Sequence, residues 1–217
     1  MYCLSKEIRK NRTFSGLKTH FIEKITMKKI ILTSLLSTTI ILTSCTPVVV
    51  GGAIVTGISV ANDRRSAGQV IDDKIISAQI RREIHQNINN DKHIKVMTYN
   101  GVVLIAGEAE TNKDRIKAED IAASINGVVK VVNELHDTIP TNLKRRTKDS
   151  YITSKAKSSL IKIDLDGFNP TRVKIMTVRG HVYLMGKVSS QESEAVVEKI
   201  RNLRGVRKVI KVFEYLD

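Results

Sequence analysis

Two stretches of this chain repeat one another, and the repeat restricts the possible folds more than any other feature. Ile94-Lys95-Val96-Met97-Thr98-Tyr99-Asn100-Gly101 runs into Val102-Val103-Leu104-Ile105-Ala106-Gly107, and Val173-Lys174-Ile175-Met176-Thr177-Val178-Arg179-Gly180 runs into His181-Val182-Tyr183-Leu184-Met185-Gly186. Gly101 matches Gly180 and Gly107 matches Gly186 at one offset. An internal repeat means copies of one supersecondary unit, each with its own set of elements.

Within each copy, apolar and polar residues alternate on both sides of Asn100-Gly101 or Arg179-Gly180, the pattern of a two-stranded hairpin with a tight turn. Gly is expected there because the turn needs positive φ. Gly107 and Gly186 are expected where another stretch of backbone passes close by. Ahead of each hairpin, Ile76, Ile80 and Ile84, or Ile152, Ala156 and Leu160, recur at four-residue spacing and predict a helix with one buried stripe. Asp73 and Asp149 are read as the N-caps of those helices. A second helix is expected over 111–124 with Ile121 and Ile125 inward, and over 190–202 with Val196, Ile200 and Leu203 inward. Asn126-Gly127 and Arg204-Gly205 stop them. Final strands over 128–135 and 206–213 complete two αββαβ units. Because a helix crossover precedes each last strand, it should lie parallel to the strand it left, with both helices on one face of a three-stranded mixed sheet. The expected fold class is α+β, with domains at 72–137 and 149–217 joined by a basic linker at 138–148.

The N-terminal part reads as an address. Met27-Lys28-Lys29 is a positive start, and residues 30–42 form an uncharged apolar run too short to span a bilayer. Leu42-Thr43-Ser44-Cys45 resembles the lipobox of bacterial lipoproteins, which makes 27–44 the signal peptide and Cys45 the acylated lipid anchor. Thr46 after the cysteine implies forwarding to the outer membrane. Residues 1–26 fit poorly before such a signal and are read as an extra leader, with Met27 as the true start. The uncharged stretch 46–61 either lies against the bilayer or packs as a linker, and 62–69 reads as a polar connector; together 45–71 form the lipidated N-terminus and linker. Beyond Cys45 the chain has no cysteine, so no disulfide framework is available to the two copies.

Charge separates the two copies. The chain carries a formal net charge of +14. The first 44 residues hold 8 basic and 2 acidic side chains, leaving +8. Residues 72–137 hold 9 basic and 11 acidic side chains, whereas 138–217 hold 17 and 8. Something anionic is therefore expected at the second copy. For an exported, lipid-anchored chain that is phospholipid head groups and not nucleic acid.

The αββαβ order, the hairpin with its glycines and the Gly127-Val128-x-x-Val131-x-Asn133 tail resemble the BON domain, a module of bacterial envelope proteins. Two such domains behind a lipobox resemble the outer-membrane lipoproteins of that family, and Asp63-Arg64-Arg65-Ser66 matches their pattern before the first domain. The sequence departs from the family in carrying Tyr151 where a Trp stands, and Lys211 where the first copy has Asn133. The resemblance implies that the first helix of the second domain binds phosphatidylglycerol and cardiolipin, that the protein concentrates at the division site, and that it supports envelope integrity.

The residues agree with that expectation. Tyr151, Lys155, Ser158 and Lys162 are spaced to share one side of the helix, with Ser150, Ser154 and Lys157 beside them. Lys144, Arg145, Arg146 and Lys148 are expected just before it. An aromatic ring beside a basic cluster suits head-group depth. The alternative is a solvated charge run with Tyr151 packed between the domains. The rival function is an adaptor for envelope proteins, with the basic half gripping an acidic partner. His85, His93, His136 and His181 are scattered without metal-ligand spacing, and Ser158-Ser159 and Ser189-Ser190 lack the context of a nucleophile. No catalytic residue, metal or cofactor is assigned, and an enzyme is not expected.

Overall fold

The computed structural model describes residues 63–89 and 93–216, with the backbone of a small antiparallel pair, Val49–Val50 and Ala53–Ile54. Cys45 and the signal segment lie outside the described residues. Residues Thr56–Asp217 form one compact unit. It contains α1 (Ala67–Asn87), β1 (Ile94–Tyr99), β2 (Val102–Ala109), α2 (Asn112–Ser124) and β3 (Lys130–Asp137), then α3 (Leu143–Leu160), β4 (Lys174–Val178), β5 (His181–Val188), α4 (Ser190–Arg201) and β6 (Lys208–Tyr215).

Each copy is the αββαβ unit with a three-stranded mixed sheet. The second hairpin strand is central, antiparallel to the first strand and parallel to the third. Both turn positions hold positive φ, at Asn100 (51°) and Gly101 (75°) and at Arg179 (54°) and Gly180 (79°). That backbone matches the twist of the strands it joins. Gly107 and Gly186 do mark close approaches. A methyl group at either would collide with the carbonyl of the residue entering the hairpin, His93 or Arg172.

Both helices of each copy lie on one sheet face. Ile76, Ile80 and Ile84 of α1 and Ala118 and Ala122 of α2 pack with Val103, Ile105 and Leu135. Ile152, Ala156 and Leu160 of α3 and Val196 and Ile200 of α4 pack with Ile175, Val182 and Leu184. Each such Ile, Leu or Val is worth about 1.5–3 kcal/mol of burial. In α2 the fully buried positions are the two alanines, and Ile121 and Ile125 are only partly covered. Small residues let α2 sit close to α1 and the sheet.

The helix-free faces of the two sheets pack on each other. Tyr99, Leu104 and Ala106 meet Met176, Val178, Tyr183 and Met185 in a third core. Equivalent residues exchange equivalent bonds there. Lys95 Nζ donates to the Thr177 carbonyl at 3.0 Å, and Lys174 Nζ to the Thr98 carbonyl at 2.7 Å. The copies thus face one another with approximate two-fold symmetry, as an isologous dimer would.

Two helix starts differ from expectation. α1 begins at Ala67, capped by Ser66 in a capping box with Gln69, so 67–69 are helix and not connector. α3 begins at Leu143, capped by the Asn142 side chain, which accepts from Arg145 N at 3.0 Å. Residues 144–148 are therefore helix and not linker. Asp73 and Asp149 are not caps. Each is a buried residue in the second turn whose carboxylate accepts from the two amides of the hairpin turn. Asp73 takes Asn100 N (2.7 Å) and Gly101 N (3.0 Å), and Asp149 takes Arg179 N and Gly180 N (both 2.8 Å).

Candidate functional site

Starting α3 at Leu143 places the whole basic cluster on one helical surface. Ile152, Ala156 and Leu160 fix which side is buried. Along one flank of the exposed side run Lys144, Lys148, Tyr151, Lys155 and Ser158, all exposed and spaced by three or four residues. Tyr151 is 63% exposed, so it does not pack between the domains. Lys155 Nζ stands 5.9 Å from the centre of its ring, within cation–π range. Ser150, Ser154 and Lys157 occupy the outermost and far side of the same surface.

Several expected residues are placed differently. Arg145 and Arg146 are half-buried, and Arg145 Nη2 approaches the Arg179 carbonyl at 3.4 Å. Ser150 and Ser158 turn their hydroxyls back to the carbonyls of Arg146 (3.1 Å) and Ser154 (3.0 Å). That satisfies them within the helix and presents their carbon faces outward. α3 ends at Leu160, so Lys162, expected on the same side of the helix as Tyr151, is exposed in the turn beyond it, outside the helical register.

Two features of this surface were not legible beforehand. Leu143 (70% exposed) and Ile161 (73%) stand at its two ends, on nearly the same line along the helix. The acid of α3, Asp149, is buried against the hairpin turn, which leaves the exposed side without a carboxylate. Among the described residues none of Lys144, Lys148, Lys155, Lys157 and Lys162 makes an ion pair. The surface is therefore cationic and apolar at both ends. α1, its counterpart in the first copy, mixes Lys74, Arg81 and Arg82 with Asp72, Asp73 and Glu83.

The scattered histidines partly converge. His136 and His181 lie edge to face at 5.9 Å between ring centres, and His93 Nδ1 is 3.6 Å from Glu108. Burial first, then His136, then the charges of Lys208 and Arg207 hold the His181 pKa below its ordinary value. No group of three or more metal-ligating side chains occurs among the described residues.

The model of the BON domain matches residues 72–136 and 148–217. Outer membrane lipoprotein DolP of Haemophilus influenzae is 33% identical over 186 residues, covering 84% of this chain and 94% of that protein. The 21 kDa hemolysin of Actinobacillus pleuropneumoniae is 35% identical over 157 residues, 71% of this chain and 80% of its own. Osmotically-inducible protein Y of Escherichia coli is 29% identical over 164 residues, with the same coverage of 71% and 80%.

Proposed function

This chain belongs to the BON-domain family and carries two of its domains, and from that premise we propose that it is an outer-membrane lipoprotein that binds anionic phospholipid through α3. Residues 27–44 act as its signal peptide and Cys45 as its acyl anchor, in the periplasmic leaflet. The printed name of the Haemophilus influenzae relative supports the location. The observation that carries the lipid reading is the acid-free exposed side of α3, where Lys144, Lys148 and Lys155 flank Tyr151 and Leu143 and Ile161 close the two ends. Each lysine near an anionic surface contributes about 1 kcal/mol, and exposed apolar side chains add interfacial burial. Neither term suffices alone, but acylation and a basic patch act as two signals for one membrane. Enrichment at the division site and support of envelope integrity follow in this reading from preference for phosphatidylglycerol and cardiolipin.

The test uses residues 56–217, which contain all three cores, without the acyl group. They should sediment with vesicles containing cardiolipin, and less so as salt rises. Tyr151→Ala with Lys155→Glu should weaken this at least tenfold. Undiminished or salt-insensitive binding by the variant defeats the proposal.

The adaptor reading draws its support from the first domain. Around the turn of its hairpin, Ile75 (49% exposed) and Val129 (79%) flank a groove lined by Asp72, Asn100 and Asn126. That surface suits a protein partner better than a lipid phosphate. Capture of an envelope protein that survives loss of vesicle binding would favour it.

A further inference from the structure

Each copy has a depression beside the junction of first helix, hairpin turn and the bend before the last strand; the two share four lining positions, and the chemistry at those positions differs completely. In the first copy they hold Gln69, Asp72, Asn100 and Val129. In the second, Arg145, Lys148, Arg179 and Arg207 stand at those positions, and Lys144 and residues of the 138–142 segment complete the lining. These are equivalent positions. Asp73 and Asp149 clamp the two turns alike, which aligns Gln69 with Arg145 and Asp72 with Lys148. Val129 N donates to the Gly101 carbonyl at 2.9 Å, and Arg207 N donates to the Gly180 carbonyl at 2.8 Å, which aligns Val129 with Arg207. One backbone thus carries two neutral polar side chains, a carboxylate and a valine in one copy and four cations in the other.

Three further observations bear on what the four cations do. Arg179 occupies a left-handed position (φ 54°) that its counterpart Asn100 fills with a residue better suited to it. The same turn conformation therefore costs more at Arg179 than at Asn100. The Arg207 stem lies across Gly180, where a methyl group would come within 3.1 Å of its Cγ, so the chain is guided over the turn. Of the four, Arg179 alone has a carboxylate within ion-pair distance of its cationic group, Glu108 at 3.7 Å, beyond hydrogen-bond length, while the Asp149 carboxylate is taken up by the turn amides. The remaining cations have no carboxylate to neutralise them among the described residues.

We propose that Arg145, Lys148, Arg179 and Arg207 form a phosphate-binding cradle at the base of α3, which takes the phosphate of an anionic lipid head group while the outward side of the helix meets the bilayer surface. Guanidinium forks match phosphate oxygens in pairs, and three arginines with one lysine from three elements surround a single small anion. The lipid source of the phosphate rests on the membrane reading above. The cradle itself does not.

The experiment follows backbone amides of residues 56–217 during titration with glycerol 3-phosphate, and measures affinity for phosphatidylcholine vesicles containing phosphatidylglycerol. Arg179→Asn with Arg207→Val installs the residues that the first copy already carries on the same backbone. Arg207→Gln alone repeats the test without altering the turn. Arg201→Gln on α4 controls for loss of charge. Shifts are expected at Arg179, Gly180 and Arg207 in the wild type, absent in the double variant, with vesicle affinity lowered about thirtyfold by the double variant. Shifts without any vesicle binding by the wild type keep the cradle, assign it a soluble phosphate compound and remove the membrane reading. Absence of the shifts, their survival in the double variant, or an equal loss of vesicle affinity in Arg201→Gln overturns the cradle.

Discussion

Replacing Asp149 with Asn tests how the second hairpin is held to α3. The carboxylate is 4% exposed and gives one oxygen to each of two amides, Arg179 N and Gly180 N, both at 2.8 Å. An Asn amide keeps one acceptor oxygen and turns its NH₂ towards the other donor. One charge-assisted bond is lost, about 1.5–3 kcal/mol, and one buried N–H is left unpaired, about 1–3 kcal/mol. Relief from burying an ionised group offsets part of this, leaving a net loss of about 3 kcal/mol. For a unit of this size that is about 10 °C in the thermal midpoint. The chain has no Trp, so the assay is urea or thermal unfolding of residues 56–217 followed by far-ultraviolet circular dichroism. Asp73→Asn should cost at least as much, because its carboxylate also pairs with Arg65. A loss below about 1 kcal/mol for Asp149→Asn would refute the view that the carboxylate, and not the turn's own backbone, fixes the hairpin.

Stability should also respond to alkaline pH. Burial, then the charge of Arg65, lowers the Lys174 pKa from 10.5 to about 8. Above pH 8 the folded chain releases a proton that the unfolded chain keeps, so stability rises from about pH 8 towards 10, and Lys174→Met should flatten that rise in a urea series. Tyr99 and Tyr183, whose pKa values burial raises, act in the opposite sense above pH 10, so the rise should turn over there. Gly107→Ala and Gly186→Ala should each lower stability by about 2 kcal/mol or more, read as the urea midpoint, because a positive φ and a collision with a backbone carbonyl ahead of the hairpin coincide at both positions.

Much of the fold was legible in the sequence because strand periodicity and turn glycine reinforce each other in both copies. The packing of sheet on sheet was not read from the sequence, because the hairpin strands read as alternating. Val102-Val103-Leu104-Ile105-Ala106 is apolar at consecutive positions, the pattern of a strand covered on both faces, not one. The helix starts were not legible. Asn142 has no acidic partner three residues on and is followed by basic residues, so it resembled a linker, whereas Asp149 stands before an apolar stripe as a cap does. Its real partners lie 30 and 31 residues away. The candidate lipid surface was visible in Tyr151 and its lysines but not in Leu143 and Ile161, whose exposure depends on where α3 begins and ends. Arg179 and Arg207 come from two separate turns, and only aligning the copies residue by residue brings them together.

The segment before the first domain ties the two domains together. Arg65 is buried, pairs with Asp63 and Asp73, and stacks over the Tyr99 ring at 3.9 Å. Arg64 reaches the other way, with Nη1 2.6 Å and Nη2 2.9 Å from the two oxygens of Glu192 at the start of α4 and Nη1 2.8 Å from the Lys187 carbonyl. Burial alone would raise the Glu192 pKa, but its bond to Arg64 and the charge of that arginine hold it lower. A bidentate, largely buried pair of this kind is a firm attachment and not a passing surface contact. The chain arriving from Cys45 is therefore fastened to the second domain before it begins the first. In the proposed function this matters for force. Asp63 follows Cys45 by 18 residues, and a pull from that side reaches the second domain through Arg64 and the first through Arg65. In that reading the acyl anchor and the basic helix bring the second domain to one membrane. The first domain, held through the shared sheet interface, is left to face away from that contact or to meet a partner of its own.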